Sequence, residues 1–212
     1  MTNKQIVREV IACFVVIIIG FVVLLLGTDN FRAFTAEQAR TIALKEEQPM
    51  IPNVVLEDSK NRTYPLESFQ EDRLLFVTFM YTNCGTVCPQ LERNMQKVYE
   101  QLPSEYIDYN IRFLSISFDT ETDDPDTLTK YQSYFNSDGE TWRMARVQNE
   151  NELNHLLDTL GVIVIPDEYG NFQHNTAFYL IDSSKELIDV LDYTDIDGAV
   201  KRITTLIEEE QS

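Results

Sequence analysis

Two cysteines, Cys84 and Cys88, stand four residues apart in the stretch Thr82-Asn83-Cys84-Gly85-Thr86-Val87-Cys88-Pro89. Two thiolates at this spacing can close a disulfide or bind a soft metal ion together. The disulfide would close a loop so small that it hardly restrains the unfolded chain. Chemistry is therefore a better explanation for the pair than stability.

The segments on either side of the cysteines predict a strand-to-helix turn. The run over 74–81 is short, apolar, aromatic and partly β-branched, which predicts a buried strand. Pro89 suits the first turn of a helix, so Cys88 is expected at or next to a helix N-terminus, where backbone amides and the helix dipole favour a thiolate. The apolar residues that follow recur at helical spacing: Leu91, Met95, Val98 and Leu102.

A third candidate donor, His174, stands between a predicted loop over 162–173 and an aromatic strand predicted over 177–182. A histidine next to such a strand is usually a packing residue. However, loops at one edge of a sheet can bring distant residues together. Two thiolates and an imidazole would form a soft site suited to copper, as Cu(I) or Cu(II), whereas structural zinc more often has four protein ligands. The other histidine, His155, is expected on a helix surface.

The remaining sequence predicts alternating strands and helices around a mixed sheet, which is an α/β fold. The acidic loop 119–124 lacks the glycine and terminal glutamate of an EF-hand, so we interpret it as a solvated loop in which Asp123 or Asp124 caps the next helix. Further predicted elements are a hairpin over 54–64, a buried strand over 111–118, a helix beginning at Pro125, a strand over 142–147, a helix over 151–160, a strand over 186–193 that pairs with 177–182, and a final amphipathic helix.

The segment from Val10 to Leu26 is long and apolar enough to cross a membrane as a helix. Lys4 and Arg8 precede it and Asp29 follows it, so the positive-inside rule keeps the N-terminus in the cytoplasm. We therefore expect a single-pass protein of the inner membrane whose C-terminal domain faces the periplasm. The predicted divisions are a cytoplasmic N-terminus over 1–9, an anchor over 10–27, an irregular tether over 28–50 with a helical turn at 36–44, and the folded domain over 51–212.

A cleaved signal peptide is the alternative to an anchor. No clean cleavage site follows the apolar segment, and Ala33 and Thr35 come nearest to one. A Leu-x-Gly-Cys sequence for lipid attachment is also missing, and Cys13 is interpreted as a small apolar residue of the helix. The N-terminus does not resemble an Arg-rich transit peptide, which favours the periplasm over the mitochondrial intermembrane space.

The chain is strongly acidic, with a net charge of −18. Residues 1–28 contain two basic residues and one acidic residue, so residues 29–212 carry −19. Binding to nucleic acid requires clustered lysine and arginine, which excludes nucleic acid as a partner. A basic protein partner is compatible with this charge, but acidity is also a common solubility feature.

The motifs resemble the Sco/SenC family of copper-binding proteins that help to assemble cytochrome c oxidase. The resemblance covers the single anchor and the domain from about residue 50 onward. Its carriers are Phe79-x-Tyr81-Thr82-x-Cys84-x-x-x-Cys88-Pro89, then Ser115-Ile116-x-x-Asp119 with Asp124-Pro125, and His174 before Phe178-Tyr179-Leu180-Ile181-Asp182.

The resemblance implies a thioredoxin-like fold with Cys84, Cys88 and His174 as copper ligands, and a Cys84–Cys88 disulfide in the oxidised form. It also implies that Asp119 lies near the copper site. Two positions depart from the family pattern. Gly85 stands where proline is common and should loosen the turn, and Gln173 stands where an acidic residue is frequent.

The first functional hypothesis is a copper chaperone, without an enzymatic step of its own, that delivers copper to the apo-cytochrome c oxidase copper subunit. Another copper chaperone or a thioredoxin-like reductase would be a further partner. The enzymatic alternative is a thiol-disulfide oxidoreductase that keeps the oxidase cysteines reduced, in which Cys84 attacks and Cys88 resolves the mixed disulfide. Against this alternative, redox motifs are usually Cys-x-x-Cys, and His174-Asn175-Thr176 stands where thioredoxin-like reductases carry proline. A redox or copper sensor is the third hypothesis.

Overall fold

A computed structural model describes residues 3–28, 33–168 and 170–210, and the chain divides into two compact units, Met1–Glu46 and Glu47–Ser212. The first unit contains helix α1 (Asn3–Gly27). Within α1, the 21 residues Val7–Gly27 have a mean hydropathy of 3.3 and are not buried by the rest of the protein. Length and composition make α1 a candidate for crossing a membrane, as the sequence predicted.

Helix α2 (Ala36–Glu47) occupies much of the segment predicted to be an irregular tether. The Thr35 hydroxyl accepts a hydrogen bond from the Gln38 amide at 3.1 Å, which caps the start of the helix. Alanine, glutamate, glutamine and lysine are strong helix formers, so this polar segment forms a helix of twelve residues, which begins where the helical turn over 36–44 was expected and extends beyond it. Residues 29–32 of the predicted tether, including Asp29, lie outside the described residues.

The larger unit alternates strands with helices, as the sequence predicted. Its strands are β1 (Val55–Asp58), β2 (Thr63–Pro65), β3 (Leu74–Met80), β4 (Ile111–Ser117), β5 (Trp142–Val147), β6 (Val164–Pro166), β7 (Phe172–His174), β8 (Phe178–Ile181) and β9 (Leu187–Leu191). Its helices are α3 (Leu66–Gln70), α4 (Val87–Gln101), α5 (Pro125–Gln132), α6 (Glu150–Thr159) and α7 (Ile196–Glu210). The short helix α3 was not predicted.

Seven strands form one mixed sheet in the order β2-β1-β5-β4-β3-β8-β9. Strands β3, β4 and β5 are parallel neighbours, whereas β8 runs antiparallel to β3, and β1 runs antiparallel to β5. All seven residues of β3 are buried, as expected for a central strand covered on both faces. The predicted α/β architecture with a mixed sheet is therefore confirmed.

The sheet topology places three important segments at one edge. In the parallel register, Met80 at the end of β3 pairs with Ser117 at the end of β4, so the segments that follow them leave the sheet side by side. Because β8 is antiparallel to β3, the chain enters β8 from that same edge. The Thr78 hydroxyl donates to the Ala177 carbonyl at 3.3 Å and joins the two strands there.

The loop prediction for residues 162–173 was wrong, because β6 and β7 form a separate antiparallel hairpin in this segment. Val164 pairs with His174, and Pro166 pairs with Phe172. Strands of three residues separated by a polar turn carry too little periodic signal to be recognised in a sequence. As a result, His174 ends a strand of the small hairpin and precedes β8 by a few residues.

Candidate metal centre

The two cysteines lie on the turn between β3 and α4, where the sequence predicted them. Helix α4 begins at Val87, which puts Cys88 in its first turn. The Thr86 side chain does not cap this helix. Instead, the Cys88 amide donates a hydrogen bond to Cys84 Sγ at 3.4 Å, and the Thr86 hydroxyl lies 3.8 Å from the same sulfur. The donors at the helix N-terminus therefore favour negative charge on Cys84.

The two thiols have opposite acid-base properties, and both are free in this structure. Burial works to raise the pKa of Cys84, but hydrogen bonds from the Cys88 thiol and amide and from Thr86 outweigh it, so the pKa lies below its ordinary value. Cys88 is fully buried, and burial together with its bond to Cys84 raises its pKa. Cys84 is thus the more nucleophilic thiol, whereas Cys88 holds its proton.

His174 is brought to the cysteines across 86 residues of sequence, with its Nε2 atom 3.5 Å from Cys88 Sγ. Its Nδ1 atom lies 3.0 Å from the Asn175 carbonyl, which can only accept, so Nδ1 carries the ring proton. Burial lowers the pKa of His174 and keeps the imidazole neutral. Nε2 therefore directs a lone pair towards the Cys88 thiol, which is the form of histidine that binds metals.

Aromatic rings fix the position of the imidazole. The ring centroid of Phe118 lies 4.9 Å from that of His174, and the centroid of Tyr81 lies 6.5 Å away. Tyr81 also accepts a hydrogen bond from the Phe172 amide at 3.3 Å, which holds the β6–β7 hairpin against the end of β3. Tyr81 and Phe118 follow the neighbouring strands β3 and β4, so the sheet itself positions His174.

The donors Cys84, Cys88 and His174 fit copper better than a hard cation, since they are two sulfurs and one imidazole nitrogen. No three His, Cys, Asp or Glu side chains of the described residues are already closed around one point. A metal ion held by these three side chains would require loss of the Cys88 proton, because a thiolate is the form of cysteine that binds metals.

Of the carboxylates that follow β4, the one that bonds to the start of the cysteine turn is Asp123, whereas the place of Asp119 near a copper site stays a prediction. Asp119 receives hydrogen bonds from Thr122, through its amide at 3.2 Å and its hydroxyl. Asp123, which is fully buried, instead accepts from the Thr82 amide at 2.9 Å and from the Thr82 and Ser117 hydroxyls at 2.5 Å each. Burial raises the pKa of Asp123, although these hydrogen bonds lower it.

Sequence reasoning treated Asp123 only as one of two residues that could cap α5. The structure assigns the cap to Asp124, which accepts from the Thr127 amide at 2.8 Å. The sequence signal for a second role was the pair of adjacent aspartates before Pro125. Only one of them can occupy the cap position, so the other can bond elsewhere.

The two departures from the family pattern lie on the surface. A Cβ atom at Gly85 would meet no atom within 4 Å, so the turn does not require glycine for space. Gln173 is exposed on β7, on the opposite face of the strand from His174. The other histidine, His155, is exposed on α6 as predicted.

One buried acid near the turn escaped the sequence interpretation. Glu92 lies one helical turn after Cys88 and is fully buried. Its Oε2 atom accepts from the Ser115 hydroxyl at 2.8 Å, while Oε1 has no partner within the described residues. Burial raises the pKa of Glu92 to about 8, although the hydrogen bond from Ser115 lowers it.

Comparison with known proteins identifies the family of this chain. The family model described as SCO1/SenC matches residues 45–208, which is most of the chain. This chain belongs to the SCO1/SenC family. Among individual SCO1/SenC relatives, the "SCO1 protein homolog" of Bacillus subtilis is 27% identical over 158 residues, covering 71% of this chain and 79% of the relative.

Solved structures show the same fold. The structure of Bradyrhizobium japonicum ScoI with copper bound superposes with a TM-score of 0.63 at 19% identity, covering 74% of this chain and 98% of that one. A structure described as a disulfide switch in BsSco, "a member of the Sco family of cytochrome c oxidase assembly proteins", has a TM-score of 0.59 at 24% identity, covering 75% and 95%. The predicted thioredoxin-like fold is thereby confirmed.

Proposed function

We propose that this SCO1/SenC protein is a membrane-anchored copper chaperone, which binds one copper ion through Cys84, Cys88 and His174 and passes it to the copper subunit of cytochrome c oxidase. The observation that carries the proposal is the approach of His174 Nε2 to Cys88 Sγ at 3.5 Å. A related structure contains copper, and another relative is described as an oxidase assembly protein, which supports both cargo and partner.

Loading of copper would follow the acid-base order of the three donors. Cys84 loses its proton most readily, and the neutral imidazole of His174 is ready to bind. Binding at Cys88 releases a proton from a thiol whose pKa is raised. Copper uptake should therefore release protons and become tighter as the pH rises.

Delivery would proceed by exchange of ligands. Gly85 and Thr86 are exposed next to Cys84, whereas Cys88 is fully buried behind them. An incoming thiolate of the acceptor would reach the copper from the Cys84 side and displace its ligands one at a time, because soft ligands of the same kind compete for the ion.

Copper titration of the full-length protein in detergent tests the ligand set. We expect one copper per chain, and a loss of affinity of roughly 100-fold or more in His174→Ala, since one of three ligands is removed. His155→Ala and Cys13→Ser are matched controls, because they remove the other histidine and the other cysteine. Full copper retention by His174→Ala would exclude the three-ligand site.

Thiol-disulfide exchange is the second candidate function, and the lowered pKa of Cys84, caused by hydrogen bonds from Cys88 and Thr86, favours it. The Cys84 thiolate would attack a target disulfide, form a mixed disulfide and release one target thiolate. The Cys88 thiolate would then attack Cys84 Sγ and release the second target thiol. Two electrons pass to the target, and the resulting Cys84–Cys88 disulfide must be reduced again by a thioredoxin-like partner.

The Cys88→Ser variant separates the two functions. A thiol-disulfide oxidoreductase that lacks its resolving cysteine accumulates a mixed disulfide with a model disulfide such as oxidised glutathione. If the protein is a copper chaperone only, the wild-type protein should bind copper and reduce oxidised glutathione no faster than free cysteine does. Copper binding without disulfide reduction supports delivery, and the reverse pattern supports exchange.

A further inference from the structure

One buried carboxylate, that of Asp123, connects the cysteine turn to the end of β4, next to the Phe118 ring that contacts His174. The cysteine turn leaves β3 through Tyr81 and Thr82, while β4 ends at Ser117 and continues into Phe118. Asp123 accepts hydrogen bonds from both segments, through Thr82 on one side and Ser117 on the other. Beyond the last register pair, Met80 and Ser117, the two segments are also joined by the Phe118 amide, which donates to the Met80 carbonyl at 3.1 Å.

The Asp123 carboxylate also influences the position of the His174 imidazole, although it does so through other side chains. Phe118 directly follows Ser117, and its ring packs against His174 with centroids 4.9 Å apart. Tyr81 directly precedes Thr82 and packs against Phe118 with centroids 5.4 Å apart. Fixing Thr82 and Ser117 on one carboxylate therefore fixes the two rings that hold His174, as well as the start of the turn that holds Cys84.

We propose that Asp123 is a positioning residue of the metal centre, which fixes the cysteine turn relative to His174 through its bonds to Thr82 and Ser117. The statement that Asp123 serves a metal centre rests on the proposed function, whereas the effect of Asp123 on the cysteine turn does not. Three hydrogen-bond donors converge on the two carboxylate oxygens of Asp123. An asparagine side chain at this position has one acceptor oxygen, and its NH₂ group would face these donors without accepting from them. Replacing the Asp123 carboxylate by an amide should therefore loosen the cysteine turn without creating a cavity in the core.

The first test uses the metal-free, reduced, full-length protein. The rate of alkylation of Cys84 by iodoacetamide is measured by mass spectrometry of the cysteine peptides. Cys84 is nearly buried, so its alkylation reports the opening of the turn. We expect Asp123→Asn to raise this rate roughly tenfold, since hydrogen bonds to a buried charged acceptor are lost. The control Asp124→Asn makes the same chemical change at an exposed helix cap, where asparagine also caps well, and should leave the rate unaltered.

The second test measures copper affinity in the same variants. We expect Asp123→Asn to weaken binding by roughly 10- to 100-fold, which is the usual effect of removing a residue that orients metal ligands. Thr82→Val removes one of the three donors and should give a smaller change in the same direction. Thr82→Ser keeps the hydroxyl and should restore both measurements to within about twofold of the wild type.

The outcomes are distinct. The proposal is overturned if Asp123→Asn keeps its wild-type circular dichroism and also keeps its alkylation rate and copper affinity within about twofold. If Asp123→Asn does not fold, the pair Thr82→Val and Thr82→Ser decides, and an unaltered Thr82→Val overturns the proposal. If the wild-type protein binds no copper, the proposed function fails, but the alkylation rates still test whether Asp123 positions the turn.

Discussion

At the scale of single residues, Glu92 shows how burial changes the acid-base properties of glutamate, a residue type that usually lies on protein surfaces. Its neighbours supply one hydrogen bond, from Ser115, whose hydroxyl in turn accepts from Trp142 Nε1 at 3.1 Å. A second carboxyl oxygen stays without a partner in the described part of the chain. Such a group is more favourable when protonated, because a buried charge with one donor is poorly compensated.

The raised pKa of Glu92 predicts that the metal-free protein loses stability as the pH rises. The pKa is about 8 in the folded state, against an ordinary value of 4.5. Below about pH 4.5 both states are protonated, and above it the unfolded state loses the proton first. The free energy of unfolding should thus fall between pH 5 and 8, by up to about 1.4 kcal/mol per pH unit.

Urea denaturation across this pH range measures the effect. Glu92→Gln should remove most of the decline and be the more stable protein at pH 8, because the amide cannot ionise. Glu100→Gln makes the same change at an exposed position of the same helix and should retain the wild-type slope. An equal slope in wild type and Glu92→Gln would show that other groups cause it.

At the scale of elements, the β6–β7 hairpin depends on a few contacts with the sheet. The hydroxyl of Tyr81 accepts from the Phe172 amide, and the rings of Tyr81 and Phe118 pack against Phe172 with centroids 5.1 and 5.4 Å away. Because His174 ends this hairpin, the precision of the metal centre depends on how firmly the hairpin is held.

We expect Tyr81→Phe to loosen the hairpin, since the Phe172 amide loses its acceptor at a cost of about 1 kcal/mol. Amide hydrogen exchange within residues 164–174 should become faster, while exchange in β3 and β4 stays slow. Tyr131→Phe is the matched control, because the buried Tyr131 hydroxyl has no hydrogen-bond partner within the described residues. Equal protection of the hairpin in both variants would contradict this account.

The central strands depend on a shared aromatic contact. Phe76 on β3 is fully buried, and its ring lies 5.3 Å from that of Phe113 on β4 and 4.8 Å from that of Phe178 on β8. Phe76→Ala should lower the free energy of unfolding by roughly 3–5 kcal/mol, as for other large buried aromatics. Thermal denaturation measures this loss, and Tyr109→Ala, at a position that is 80% exposed, should cause almost none. A small loss at Phe76 would mean that the strands can close the cavity.

At the scale of the whole molecule, an apolar helix is joined to a strongly acidic domain. The SCO1/SenC match begins at residue 45, close to where the second compact unit begins, so the part of the chain that matches the family lies almost entirely in that unit. Helix α1 lies outside this match and is described by its own composition. The candidate membrane helix and the candidate metal centre are therefore carried by different parts of the sequence.

We expect the full-length protein to stay in the membrane fraction through high salt and alkaline carbonate. The double substitution Ile17→Lys and Ile18→Asp should release it, since each charge at the centre of a membrane helix costs roughly 2.5–3.5 kcal/mol. Ile17→Leu with Ile18→Leu preserves the apolar character and should remain bound. Release of the wild-type protein by carbonate would rule out a spanning helix.

A C-terminal alkaline phosphatase fusion should be active, as the enzyme requires an exported location.

The sequence by itself determined the features that depend on local chemistry. The Cys-x-x-x-Cys turn, the buried strands and the α/β order follow from residue type, periodicity and proline position, and the apolar length of α1 follows from composition alone. Only the tertiary structure decided that His174 sits in a hairpin 3.5 Å from Cys88, and that Asp123 binds Thr82 in the cysteine turn. These relations depend on strand register and on which end of each strand meets the same edge, and neither is encoded in any short segment.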